Sequence, residues 1–324
     1  MVLFIKKRFI IIIFIIMCLA SVVVGVNMYS KKENKVLIGG SLGSVECLVG
    51  ESEAFYEDID LEKYFRPSNL PILNDNKDIN KFIWESENVE YKNVEIPKEY
   101  LKSPENTIIN YFSLLREASN PEKDKYTGCG SIGEGKAPYP IAYNFFTNEY
   151  KEKIKYRQYE YSFKNILHIN LIKFKEIPET NNKELKYFYE IETIQGSESG
   201  IGYFAYYYGY INLVRDNDVY KISNITVTPE EYLCAPYHSW FYSGEYSVQI
   251  KYGNWCNLIK GDPKVEINDY VKDIQFDGTD GKEYKIEFFT LTNDYDIEVA
   301  QFKKNSANEW ERIYLNPENC LKNK

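Results

Sequence analysis

The chain opens on an uncharged, mostly apolar run, Phe9–Val26, led in by Lys6-Lys7-Arg8. Its eighteen residues reach the lower length for a membrane-spanning helix, and the tight basic cluster ahead of it orients the N-terminus inward. The competing reading is a signal peptide cut after Val23-Val24-Gly25. Cys18 follows Met17 rather than a small residue, so it does not read as a lipidation site.

Beyond the run, the apolar spacing changes twice. Residues 27–50 are Lys-, Gly- and Ser-rich and read as a stalk or a weak leading strand, and the acidic segment to Tyr100 is broken by Pro67, Pro71 and Pro97. At Ser103-Pro104-Glu105 a hydroxyl cap, a first-position proline and an acid predict a helix start. Ile108, Phe112 and Leu115 then recur at helical spacing, and Asn120-Pro121 ends them. A second helix is expected over 142–155, with Phe145, Phe146, Tyr150 and Ile154 on one side.

After Tyr156 the period falls to two. Strands are expected at Leu167–Leu171, Leu185–Gln195, Gly202–Arg215 and Val219–Val227, with Asp216-Asn217 turning the last pair. From Pro236 the pattern is nearly all strand: 246–252, 270–276, 284–290, 297–303 and 310–315, separated by turn signals such as Asp277-Gly278. No repeat of solenoid period occurs.

Composition narrows the chemistry. Hydrophobic residues at 44% with 16% aromatics are enough to bury a core, which excludes wholesale disorder. Leaving out the three basic residues before the apolar run takes the formal charge from −9 to −12 for the remainder. That acidity argues against a nucleic-acid partner, which needs Lys and Arg against phosphate. Outside the run there are five cysteines, Cys47, Cys129, Cys234, Cys256 and Cys320, with no CxxC pair. An oxidising exterior permits bridges, and Cys234–Cys256, bracketing an aromatic segment, is the expected disulfide.

Two nucleotide patterns occur in Gly128–Ala137 and both fail on context. No apolar strand precedes Gly128-x-Gly130-x-x-Gly133, and Ala137 rather than Ser or Thr follows Lys136. Asp277–Asp280 lacks the ligand spacing of a calcium loop. His168 and His238 are the only histidines, and their spacing predicts no metal site and no cofactor.

The candidate binding residues therefore lie on strands. His168 alternates against Leu167 and Ile169; Glu190 and Glu192 share a strand face, close enough to act as an acid/base pair or to stand as ordinary strand-face charges. Tyr206, Tyr208 and Tyr210 share another, suited to stacking on sugars, to holding a protein partner, or to core packing.

Two stretches, SPENTIINYFSLLRE at 103–117 and GYINLVRDNDVYKISNITVTPE at 209–230, set a helix before long antiparallel strands closed by a hairpin. This order resembles the NTF2-like (cystatin-like) superfamily over roughly residues 100–233. The resemblance implies a cone of helices wrapped by a curved sheet, and a scaffold or partner-binding role.

The expected fold class is α+β: a signal anchor or transmembrane helix (1–26), a stalk (27–99), an NTF2-like domain (100–235) and a β-rich module (236–324). The expected role is membrane-anchored, extracytoplasmic and non-enzymatic, with protein partners or self-association. The alternatives are a small-ligand or hydrolytic site in the cone cavity, with His168, Glu190 and Glu192, and a Tyr-faced glycan module.

Overall fold

Ser103 does cap the helix that begins beside it: its Oγ accepts a hydrogen bond from the Asn106 N–H at 3.1 Å. In the computed structural model, which describes residues 35–42, 70–85, 94–119, 138–178, 184–196, 202–231 and 237–322, Lys77–Glu85 forms helix α1 and this longer helix is α2, Pro104–Ser119. Ile108, Tyr111, Phe112 and Leu115 of α2 are fully buried. Short helices α3 (Pro138–Tyr143), α4 (Asn148–Lys153) and α5 (Tyr156–Tyr161) pack beside it. The single helix expected over 142–155 is broken because Thr147 restarts it, its Oγ1 accepting from the Tyr150 N–H.

Against these helices lies a six-stranded sheet. Strands β1 (Val36–Leu37) and β2 (Gly40–Leu42) sit at one edge. Strands β3 (Ile166–Ile177), β4 (Leu185–Gly196), β5 (Gly202–Asp216) and β6 (Val219–Pro229) form an antiparallel meander, in the order β1-β2-β6-β5-β4-β3. Asn217 turns β5 into β6 with φ of 56°, a left-handed conformation that Asn tolerates. Of residues 27–50, expected as a stalk or a weak leading strand, Val36–Leu37 and Gly40–Leu42 are built into this sheet. A Cβ at Gly39 would stand 2.6 Å from the Tyr111 hydroxyl, and its φ is 76°, so glycine is required there.

The space between helices and sheet is filled by rings. Tyr111, Phe145, Phe146, Tyr150, Tyr159 and Tyr189 are all buried. A tyrosine core needs its hydroxyls paired. Tyr150 donates to the Gly39 carbonyl at 2.9 Å, Tyr189 to Thr226 at 2.7 Å and Tyr143 to Ile154 at 2.7 Å.

A second, five-stranded antiparallel sheet follows: β7 (Ile259–Asn268), β8 (Val271–Gly278), β9 (Glu283–Thr290), β10 (Asp296–Lys304) and β11 (Trp310–Ile313), ordered β11-β10-β9-β8-β7. One face takes Val248 and Tyr252 against Ile274, Ile286 and Phe288. Another cluster joins Phe289, Leu291, Val299 and Phe302 to Ile177 and Phe188 of the first sheet. Val36–Lys324 is one compact unit.

Several expectations are corrected. The strand expected at 246–252 is helix α6 (Gly244–Val248) continuing into a π-helix, Gln249–Trp255. Its alternating apolar residues misled, because only Val248 and Tyr252, four apart, are buried, while Tyr246 is 65% exposed. Strand β7 was not expected, since Lys260, Asp262, Pro263 and Glu266 hide its pattern. The described residues form a mixed α and β fold with two sheets, and the expected transmembrane helix is not found among them. Among the described residues no helix is long and apolar enough to cross a membrane. Residues 1–26, the Gly-rich loop at 128–137, Cys47, Cys129 and Cys234 lie outside the described residues. Cys256 is bonded to Cys320, which closes the C-terminal helix α7 (Glu318–Lys322) onto the π-helix, so the expected Cys234–Cys256 bridge is replaced.

Candidate functional site: a cleft between the two sheets

The register of β4 and β5 places the sequence candidates in rows: Glu192 opposite Tyr206, Glu190 opposite Tyr208, Phe188 opposite Tyr210. All lie on the sheet face away from the helices, because Tyr187, Tyr189 and Ile191 point into the aromatic core. Two of these rows are closed. Glu190 is 0% exposed and Glu192 1%. The Glu190 carboxylate is 2.8 Å from Lys173 Nζ and accepts from the Thr292 N–H at 2.8 Å and from the Thr292 hydroxyl. Lys173 also donates to the Thr290 carbonyl at 2.8 Å, so this pair stitches the first sheet to the loop after β9.

Glu192 accepts from the Tyr206 hydroxyl at 3.0 Å, and its other oxygen lies 3.5 Å from His168 Nε2. Burial pushes the His168 imidazole below its ordinary value; Glu192 pulls it up only in part, and Arg116 adds to the fall. His168 is therefore largely neutral at pH 7. Glu190 and Glu192 thus face different partners, Lys173 and Thr292 for the one, Tyr206 and His168 for the other, and both are buried, not the solvated strand-face charges that alternation also allowed. His238 is elsewhere, 3.2 Å from Glu231 and stacked at 3.9 Å on Tyr242. Among the described residues no three His, Cys, Asp or Glu groups are placed to hold a metal.

Tyr208 and Tyr210 have a different setting. They line a cleft of about 610 Å³ between β5 and β6 on one side and the second sheet with the Trp240–Trp255 helical segment on the other. Phe241, Lys251, Tyr295, Asp296 and Glu298 also line it. The volume lies within the ~300–1,000 Å³ usual for ligand sites. The π-helix supplies one wall: this rare geometry, frequent at functional sites, carries Lys251 and Tyr252 to Glu298. Lys251 Nζ is 3.1 Å from Glu298 Oε2, and Tyr252 donates to Oε1 at 2.7 Å. Burial pushes the Glu298 carboxyl up, but Lys251 and bonds from Gln301 and Tyr252 outweigh it and hold it below the ordinary value.

Asp296 is equally occupied. It accepts from the Gly244 N–H at 2.8 Å, from Lys272 at 2.6 Å and from the Thr290 hydroxyl at 2.6 Å. Burial pushes the Tyr210 phenol up to about 12 and raises Tyr208 as well, so both remain hydroxyl donors across the physiological range.

No protein-family model, no characterised protein and no solved structure matches this chain. What the cleft can do follows from its lining. Its two carboxylates are engaged by cations and donors, and the Ser247 hydroxyl is spent on the Phe241 carbonyl at 3.2 Å. Neither an activated nucleophile nor a free base is present among these lining groups. Rings and hydroxyls make up much of the remaining lining.

Sequence reasoning reached Tyr208 and Tyr210 through strand alternation but missed Phe241, Lys251, Tyr295 and Glu298. The available signal was Ser243, whose Oγ caps α6 by accepting from the Tyr246 N–H at 3.4 Å. Reading that cap turns 246–252 from strand to helix and brings Lys251 to the same wall as Phe241.

Proposed function

We propose that this chain is a non-enzymatic, extracytoplasmic binding protein of NTF2-like construction whose ligand is held in the cleft between its two sheets. The observation that carries this reading is the cleft lining itself, with Tyr208, Tyr210, Phe241 and Tyr295 around ion pairs already neutralised within the protein. The order of α2 before the β3–β6 meander supports the NTF2-like relationship. The rings packed between helices and sheet support a role outside the cone, since they leave the cone interior occupied. The Cys256–Cys320 disulfide supports an oxidising compartment, where such bonds persist.

The test is hydrogen–deuterium exchange on the intact protein against a panel of oligosaccharides, peptides and organic anions. Protection by a panel member at 206–210, 240–252 and 295–298, lost in Phe241→Ala, is the expected result. Binding that protects another surface and is indifferent to Phe241→Ala would overturn the reading.

A further inference from the structure

The chemistry of the cleft selects among ligand classes. Its lining carboxylates are each paired with a lysine: Lys251 faces Glu298 at 3.1 Å, and Lys272, shared with Glu245, faces Asp296 at 2.6 Å. An ionic ligand would give up hydration without meeting an uncompensated opposite charge. An extended peptide fares no better. The β5 wall is a sheet face, not an edge, because β5 is hydrogen-bonded to β4 and β6. That wall offers no open backbone ladder for strand addition.

What remains is ring surface and hydroxyl groups. Tyr208, Tyr210 and Tyr295 bring phenols that donate and accept, and Thr228 adds an aliphatic hydroxyl. The positively polarised C–H face of a sugar ring fits an aromatic face, while its equatorial hydroxyls require groups of this mixed donor–acceptor kind. Tyr295 packs against Tyr242, ring centroids 4.1 Å apart, a contact that restrains the ring before a ligand arrives.

We propose that the cleft takes a neutral oligosaccharide, stacked on Tyr295 and Phe241 and hydrogen-bonded by the phenols of Tyr208 and Tyr210. This rests on the reading that the cleft is the ligand site. The experiment is titration calorimetry on the full chain with four probes: the tetramer of N-acetylglucosamine, maltotetraose, tetragalacturonate and tetraalanine amide.

A neutral saccharide is expected to bind, with affinity changing less than about twofold between low and high salt, since no net charge is neutralised. Tyr295→Ala and Phe241→Ala should each weaken binding about tenfold. Tyr246→Ala, exposed and outside the cleft lining, should leave it unchanged. Melting curves of the variants exclude unfolding as the cause. Preference for tetragalacturonate with steep salt dependence, or for the peptide, lost in both cleft variants, overturns the neutral-saccharide class and leaves the cleft as the site. Saccharide binding indifferent to both variants, or no binding by any probe, overturns the class and the site together.

Discussion

Lys173 and Glu190 are the pair on which the join between the sheets leans hardest. Glu190 has no exposed surface, so removing Lys173 strands a carboxylate in the interior with only the Thr292 donors. Lys173→Met should lower stability by about 3–5 kcal/mol, and adding Glu190→Leu should recover much of it. Urea unfolding of the single and double variants measures both, and a single-variant loss under ~1 kcal/mol would refute the assignment. Lys221 gives the pH dependence. Burial, with nearby Lys151, pushes its ammonium down to about 8 from 10.5, against the pull of Asp216. With the folded value below the unfolded one, the native state holds fewer protons above pH 8, so stability rises with pH there. Burial moves the phenols of Tyr111 and Tyr150 the other way, above 10.0. Past pH 10 the unfolded chain ionises first and stability falls. The melting temperature should therefore climb from about pH 8 towards 10 and then drop, and Lys221→Gln should flatten the climb. The residue scale also shows what alternation along a strand conveys. It put Tyr206, Tyr208 and Tyr210 on one face and Glu190 beside Glu192. It could not convey that Thr292, a hundred residues away in the chain, occupies Glu190, or that Glu192 and Tyr206 seal each other.

Among the elements, the legible ones carry local signals. The α2 start at Ser103-Pro104 and the β5–β6 turn at Asn217 are decided by capping and by left-handed backbone, both written within a few residues. Apart from the Ser243 cap, the π-helix wall of the cleft was not legible, because Tyr246, Val248, Ile250 and Tyr252 satisfy both a period of two and an i, i+4 pair. Burial by the second sheet decides between them. That wall is tied to the chain end by Cys256–Cys320, closing a loop of 64 residues. Chain entropy alone assigns such a loop about 4 kcal/mol. Cys320→Ser should shift the urea midpoint down accordingly, and a reductant should then have no further effect on it. Gly209 is the weak point of the opposite wall. A Cβ there would meet the Thr226 carbonyl oxygen at 1.8 Å, between Tyr208 and Tyr210. Gly209→Ala should force β5 and β6 apart, cost about 1–3 kcal/mol and loosen the cleft, read as a lower melting temperature and faster amide exchange at 208–210.

At the level of the whole molecule, composition and strand pattern suggest a domain followed by a separable β module, but the contacts across the two sheets favour interdependence. Phe188 and Ile177 of the first sheet are buried in one cluster with Phe289, Leu291 and Val299 of the second. The seam also carries directional bonds: Tyr270 donates to the Phe174 carbonyl at 3.0 Å, and Arg312 Nε to the Pro178 carbonyl at 3.1 Å. A chain ending at Glu231 would expose Phe188, Tyr208 and Tyr210 together and leave Glu190 without Thr292. Such a contiguous apolar face on a soluble fragment promotes association, and the lost burial removes stabilisation at ~25 cal/mol per Å². The fragment should therefore bind a hydrophobic dye, aggregate, and melt without a sharp transition, while the full chain should melt as one cooperative unit. Calorimetry and light scattering on both chains make the comparison. A fragment melting cooperatively within roughly 4 °C of the full chain, a difference worth about 1 kcal/mol at this size, would show that the sheets are independent. The cleft between them would then be a contact of two modules, not a wall-to-wall site fixed by one fold.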